Sequence, residues 1–98
     1  MQAGLEAIAH PGRRRMLVLV MDRELQAGEI AELAGMTQPA GSQHLRVLRE
    51  AGLVDVRPDG PRRMYRVNFA ALNALRSELE AFWGKHLEAL RKATELDR

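Results

Sequence analysis

Apolar residues recur at helical spacing through most of this 98-residue chain and switch to a two-residue alternation in one short stretch. Residues 2–9 read as a short helix, with Leu5 and Ile8 three positions apart. Pro11 stops it and opens the next, because proline is tolerated in a first helical turn. Met16, Leu17, Val20 and Met21 then recur at helical spacing as far as about Asp22. A third helix is predicted from about Ala27 to Ala34, with Ile30, Leu33 and Ala34 on one face. Gly35 stands where a helix C-terminus favours positive φ. Thr37 is a good N-cap for a fourth helix, with Pro39 in its first turn, ending near Ala51-Gly52. The period then becomes two. Leu53-Val54-Asp55-Val56-Arg57 and Arg63-Met64-Tyr65-Arg66-Val67 flank Pro58-Asp59-Gly60-Pro61, whose turn chemistry predicts a β-hairpin. A last long helix is predicted from about Phe69 to Glu95. Its Leu72, Leu75, Leu79, Phe82 and His86 follow the alternating three–four spacing of a helix–helix seam, which Trp83, Leu87 and Leu90 widen.

That stripe is too wide for one small domain to cover. Leu75, Leu79, Phe82, Trp83, His86 and Leu90, joined by Leu5 and Ile8, are therefore expected to form a symmetric interface with a second copy. Hydrophobic residues at 46% and charged residues at 29% exclude a disordered chain. The longest apolar run, Met16 to Met21, is far short of the roughly 20 residues of a membrane span. No membrane partner is expected. Met1 to His10 lacks a basic head followed by an apolar stretch, so no export signal is expected and the default location is cytoplasmic. With no cysteine there is no disulfide framework, thiolate metal site or cysteine nucleophile.

Charge placement changes the picture more than the net +2 does. Of 15 basic residues only Lys85 and Lys92 are lysine. Residues 1–68 carry ten arginines against eight acids, whereas 69–98 carry five bases and five acids. Between Arg57 and Arg66 stand four arginines and one acid, Asp59. Guanidinium forks suit phosphate oxygens and guanine edges.

The segments Glu29-Ile-Ala-Glu-Leu-Ala-Gly-Met and Thr37-Gln-Pro-Ala-Gly-Ser-Gln-His-Leu-Arg-Val-Leu form a helix, a tight turn and a helix. A helix-turn-helix sets its second helix in the DNA major groove. On a wheel at about 100° per residue, Gly41, Leu45 and Leu48 fall on one side, with His44 at the edge. Gln38, Pro39, Ser42, Gln43 and Arg46 fall on the other. That outward face carries hydrogen-bonding side chains, one arginine and no acid, as base edges and phosphates require. The hairpin that follows makes the unit a winged helix, with Arg57, Arg62, Arg63 and Arg66 in reach of the DNA backbone or minor groove. The fold expected is mainly α with a small β-hairpin, in the order ααααββα. It forms a single domain over 1–98, with dimerisation helices at 1–9 and 69–95, the helix-turn-helix at 27–51 and the wing at 53–68. No enzyme is expected, because Ser42 has neither an acid nor a co-facing histidine beside it and no Gly-rich phosphate loop is present.

His10-Pro-Gly-Arg-Arg-Arg-Met-Leu, Ile30-Ala-Glu-Leu-Ala-Gly-Met, Thr37 through Val54 and Arg62-Arg-Met-Tyr-Arg-Val together resemble the ArsR-type repressor family. The likeness covers residues 3–68 densely and the last helix loosely. It implies a homodimeric winged-helix repressor on a palindromic operator. By position, Ser42 and Gln43 would then contact the major groove, flanked by Gln38, Pro39 and Arg46, with Arg62 and Arg63 on the wing. The sequence departs from the metal-sensing members. Gln26-Ala27-Gly28 follows Glu24-Leu25 where they carry Cys-x-Cys, and the last helix offers only His86, whose neighbours four residues away are Phe82 and Leu90. Gly41 stands where the family usually has a branched apolar residue, which would let the second helix pack closely against Ala31 or Ala34. His10 is expected to cap a helix or lie near the dimer contact, His44 to bond backbone, and His86 to sit in the core or dimer interface. No cofactor or metal is expected, and the inducer or partner protein stays open. Two alternatives remain: a winged-helix protein-interaction module without DNA binding, and a metal-responsive repressor using His and carboxylate ligands across the dimer.

Overall fold

Local capping groups set where four of the five helices begin. In a computed structural model, which describes residues 2–96, the order is α1 (Gln2–Ala9), α2 (Pro11–Leu19), α3 (Ala27–Leu33), α4 (Gln38–Glu50), β1 (Val54–Asp59), β2 (Arg62–Val67) and α5 (Phe69–Leu96). Met1, Asp97 and Arg98, which the expected span 1–98 includes, lie outside the described residues. Thr37 Oγ1 accepts from the Ala40 amide at 3.3 Å, and Asn68 Oδ1 accepts from the Ala71 amide at 2.9 Å. At α3 the Gln26 amide donates to Glu29 Oε1 at 3.1 Å. Each bond satisfies one of the amides a helix start leaves without a partner. Gly35, at φ 72°, supplies the left-handed turn between α3 and α4, as expected.

The end of α1 is closed from outside. The last four carbonyls of a helix have no intrahelical donor, and two arginines of α2 take all four here. Arg13 donates from Nε to Ala7 O at 2.6 Å and from Nη2 to Glu6 O at 2.9 Å. Arg14 Nη1 donates to Ile8 O at 2.6 Å and to Ala9 O at 3.3 Å. These bonds fasten the short α1 to α2.

β1 and β2 pair antiparallel, with Val54 opposite Val67 and Asp59 opposite Arg62. Gly60 sits at φ 60° in the two-residue connection, a conformation that follows the strands' twist. Leu25 adds a single bridge to Tyr65, exchanging bonds of 3.2 and 2.8 Å, so the segment before α3 lies along the hairpin. The same strand shortens α2. The Val67 amide takes Val20 O at 3.0 Å, and α2 stops at Leu19 rather than continuing to Asp22. Met21 is accordingly exposed.

One core holds these elements together: Met16, Ile30, Leu45, Leu48, Leu53 and Val67 are fully buried. On α3 the buried arc is Ile30, Ala31 and Ala34, not the expected Ile30, Leu33 and Ala34; Leu33 is 57% exposed. The arc turns toward Ala31 because α4 presses there. A Cβ added to Gly41 would stand 2.5 Å from Ala31 Cβ and 3.3 Å from its Cα. The close approach expected from the glycine is therefore to Ala31.

Gly41→Ala would gain about 1 kcal/mol in an open helix, yet here it is expected to destabilise the fold by about 1–3 kcal/mol. Urea denaturation measures the change, and adding Ala31→Gly should recover part of the loss. An unchanged or stabilised single variant would refute the contact.

Candidate nucleic-acid interface

Burying Gly41, Leu45 and Leu48 against α3 and the core leaves the opposite side of α4 to solvent. Gln38, Pro39, Ser42, Gln43 and Arg46 are all exposed there, as the helical wheel requires. Gln38 is anchored, its Nε2 donating to Gly28 O at 3.2 Å across the turn. The same wheel brings in two residues the sequence reading left out. Arg49 and Glu50 continue this face at the C-terminal end of α4, and both are exposed. The face therefore does end in one acid. Arg49 could have been found by carrying the wheel three residues beyond Arg46.

Strand register sorts the wing arginines by face. Side chains alternate along a strand, and directly opposed residues share a face. Val54, Val56, Tyr65 and Val67 turn toward the body, so Pro58 and its partner Arg63 share that side. Asp55, Arg57, Asp59, Arg62, Met64 and Arg66 form the outer side, where Arg62 stands opposite Asp59 and Arg66 opposite Asp55. The outer side thus balances most of its own charge. A groove of about 360 Å³ lies between the end of α4 and the wing, lined by Arg49, Val56, Pro58, Gly60, Pro61, Arg62 and Arg63. The groove gathers three guanidinium groups and no acid.

Arg57 departs from its expected role. Its Nε and Nη2 donate to the two oxygens of Glu24 at 2.6 and 3.0 Å, a bidentate pair that latches the wing base to the segment before α3. The hydrogen bond to Arg57, helped by the charges of Arg57 and Arg66, holds the Glu24 carboxyl below its ordinary value of 4.5.

The profile of the bacterial regulatory protein arsR family matches residues 10–56, which hold α2, the helix-turn-helix and the start of the wing. The chain is 40% identical over 82 residues to the HTH-type transcriptional regulator Rv2034 of Mycobacterium tuberculosis, covering 84% of this chain and 77% of that one. The chain belongs to the arsR family. This arsR-family protein is also similar to a solved possible transcriptional regulator for arsenical resistance, at 40% identity and TM-score 0.76, covering 91% of this chain and 93% of that one. A second solved relative is the homodimeric winged helix-turn-helix DNA-binding domain Mb0332 of Mycobacterium bovis. It shows 30% identity and TM-score 0.66, over 89% of this chain and 80% of that one. The protein is a DNA-binding transcriptional regulator with a winged helix-turn-helix, not an enzyme. None of its described helices is long and apolar enough to cross a membrane.

The residues expected at a dimer contact split along α5. Leu75 is buried and Leu79 half-buried against the body, with Leu5 and Ile8 of α1 half-buried beside them. Phe82, Trp83, His86 and Leu90 are exposed. His86, expected in a core or interface, stacks on Phe82 with centroids 4.3 Å apart, its Nδ1 donating to Phe82 O at 2.9 Å. An open apolar groove of about 510 Å³ runs along α5, with Ile8, Leu72, Leu75, Leu79 and Trp83 in its wall. The other two histidines meet each other. His10 caps α2, its Nδ1 accepting from the Gly12 amide at 2.9 Å. His44 does not bond backbone as expected; its Nδ1 accepts from Arg13 Nη1 at 3.2 Å.

Because its pair with Arg57 favours the ionised form, Glu24 stabilises the wing above pH 4.5, and that contribution is lost as pH falls through its lowered pKa. An NMR titration should place the Glu24 carboxyl below 4.5 in the unmodified protein and nearer 4.5 in Arg57→Ala. Identical midpoints would show that the latch does not form in solution.

Proposed function

We propose that this regulator is a homodimeric repressor that reads a palindromic operator with the exposed face of α4. The observation that carries the reading is that face itself: Ser42, Gln43 and Arg46 stand exposed on a helix whose other side is locked in the core. Ser42 and Gln43 would meet base edges, Gln38, Pro39 and Arg46 would flank them, and Arg62, Arg63 and Arg49 would hold phosphate beside the wing. Arg62 and Arg66 each face an acid across the ladder, Asp59 and Asp55, and Arg62 of the two also lines the groove beside Arg49 and Arg63. Arg57 serves the wing through Glu24 rather than the DNA directly.

Dimerisation would cover the open groove along α5, through Leu5, Ile8, Leu75, Leu79, Phe82, Trp83, His86 and Leu90. The Mycobacterium bovis relative, described as homodimeric, supports this arrangement. Its two α4 helices would enter successive major grooves about 10 bp apart. Control by a metal is not part of this reading, because among the described residues no group of three His, Asp or Glu side chains comes together to hold one. The signal would instead be an organic ligand, a partner protein or the protein's own concentration.

Ser42→Ala with Gln43→Ala is expected to abolish operator preference, each lost base contact being worth roughly 1–3 kcal/mol. Arg62→Ala with Arg63→Ala should weaken binding to all DNA alike and flatten its salt dependence. Gel-shift competition against a scrambled duplex separates the two, and a Ser42/Gln43 variant that still selected the operator would overturn the reading face.

Leu79→Glu is expected to yield monomers in sedimentation, since it sets an unpaired charge beside its symmetry mate. A monomeric unmodified protein would overturn the dimer. Micromolar zinc, nickel or cobalt should leave operator affinity unchanged relative to a chelator. A tenfold metal effect, about 1.4 kcal/mol of coupling, that was lost in His86→Ala would restore a metal sensor.

A further inference from the structure

The junction of α1, α2 and α4 contains a cluster that DNA reading does not use. Arg13 spans it, holding Glu6 O and Ala7 O at the end of α1 and reaching His44 Nδ1 on α4. The His44 ring lies 4.4 Å from that of His10, measured between centroids and tilted by 43°. Beside it, α4 packs on the body through the buried Leu45 and Leu48.

The donors decide which nitrogen of each ring accepts. A guanidinium has only donors, so His44 Nδ1 must accept and its proton sits on Nε2. A backbone amide likewise only donates, so His10 Nδ1 also accepts. The Arg13 bond favours the neutral form of the His44 imidazole, whose one basic lone pair it occupies. A proton arriving at His44 can bind only at Nδ1, where it displaces the Arg13 N–H and leaves two cations face to face. Among the described residues, the charged and titratable groups facing His44 are Arg13 and His10. α1 presents only the backbone carbonyls that Arg13 holds, and its one acid, Glu6, accepts from Gln2 Nε2 at 3.1 Å. No carboxylate stands by to compensate.

We propose that the Arg13–His44 hydrogen bond is a proton-sensitive clip holding α4 at its reading angle against α1, so that operator selectivity weakens in acid. His44 is a positioning residue here, acting through α4 and touching no DNA. The inference rests on the proposed DNA reading for its consequence but not for the clip. Burial first, then the charges of His10 and Arg13, holds the His44 pKa below its ordinary value of 6.5. The folded protein therefore binds fewer protons here than the unfolded chain, and the clip's contribution is present above pH 6.5 and lost as pH falls below it.

The test uses the full chain, a duplex selected by the protein from a random library at pH 7.5, and a scrambled duplex of equal length. For the unmodified protein the affinity ratio between the two is expected to fall at least about fivefold between pH 7.5 and 5.5, the lower end of typical coupling between sites. His44→Asn keeps an acceptor near the Nδ1 position and cannot titrate, so its ratio should match at pH 7.5 and stay flat. Arg13→Ala should show the lowered ratio at both values. A flat ratio in the unmodified protein, or a step that survives in His44→Asn, overturns the proposal; a step abolished only by His10→Asn overturns it in favour of the α2 cap.

A DNA-free arm follows melting temperature over the same range. The unmodified protein should lose stability in acid relative to His44→Asn. Parallel curves would overturn the clip whatever the DNA result. Absence of any selectivity at pH 7.5 would instead strike the proposed DNA reading, with the melting arm still deciding the clip.

Discussion

Contact between Gly41 and Ala31 is the constraint on which the helix-turn-helix depends. No Cβ fits between the two helices at that point. The axis of α4 is consequently drawn onto α3 at one residue, and the fully buried Leu45 and Leu48 complete the seam further along. Which side chains of α4 reach solvent is thus decided by a missing side chain. Ser42 and Gln43 are exposed because the residue just before them is pressed into its neighbour. The usual penalty for glycine inside a helix is roughly 1 kcal/mol, and tighter helix packing offsets it here.

A second organising feature works through charge rather than shape. α1 is eight residues long, too short to persist alone in water, where isolated helices need roughly 12–15 residues. Guanidinium groups at all four of its terminal carbonyls fasten it to α2 from outside. The wing has its own fastening, where Leu25 bridges Tyr65 and Glu24 grips Arg57. The first helix and the hairpin are each tied by arginine, α1 to α2 and the wing to the segment before α3.

The order of elements was legible because periodicity and caps are local. Thr37, Pro39, Gly35 and the Gly60-Pro61 turn each announce a boundary within a few residues. What stayed hidden depends on partners distant in sequence. Leu33 fits an apolar arc with Ile30 and Ala34 until the position of α4 chooses Ala31 instead. Arg57 looks like one more wing cation until Glu24, 33 residues away, is seen beside it. His44 looks like a residue satisfied by backbone, and its donor comes from 31 residues earlier. The wing's charge was readable as a sum but not as two faces, since only register shows that Asp59 and Asp55 oppose Arg62 and Arg66. Arg49 and Glu50 are different. Their helical angle was available, and the wheel was stopped one turn early.

All cationic side chains of the helix-turn-helix and wing are guanidinium groups, and the chain's two lysines, Lys85 and Lys92, both lie on the exposed outer half of α5. Guanidinium groups stay protonated across the physiological range. Acetylation, which erases charge at a lysine amine, has no side chain to act on between residues 1 and 84. Such chemistry could retune α5 alone. The positive charge of the DNA-binding half is thereby carried by groups that lysine acetylation does not reach.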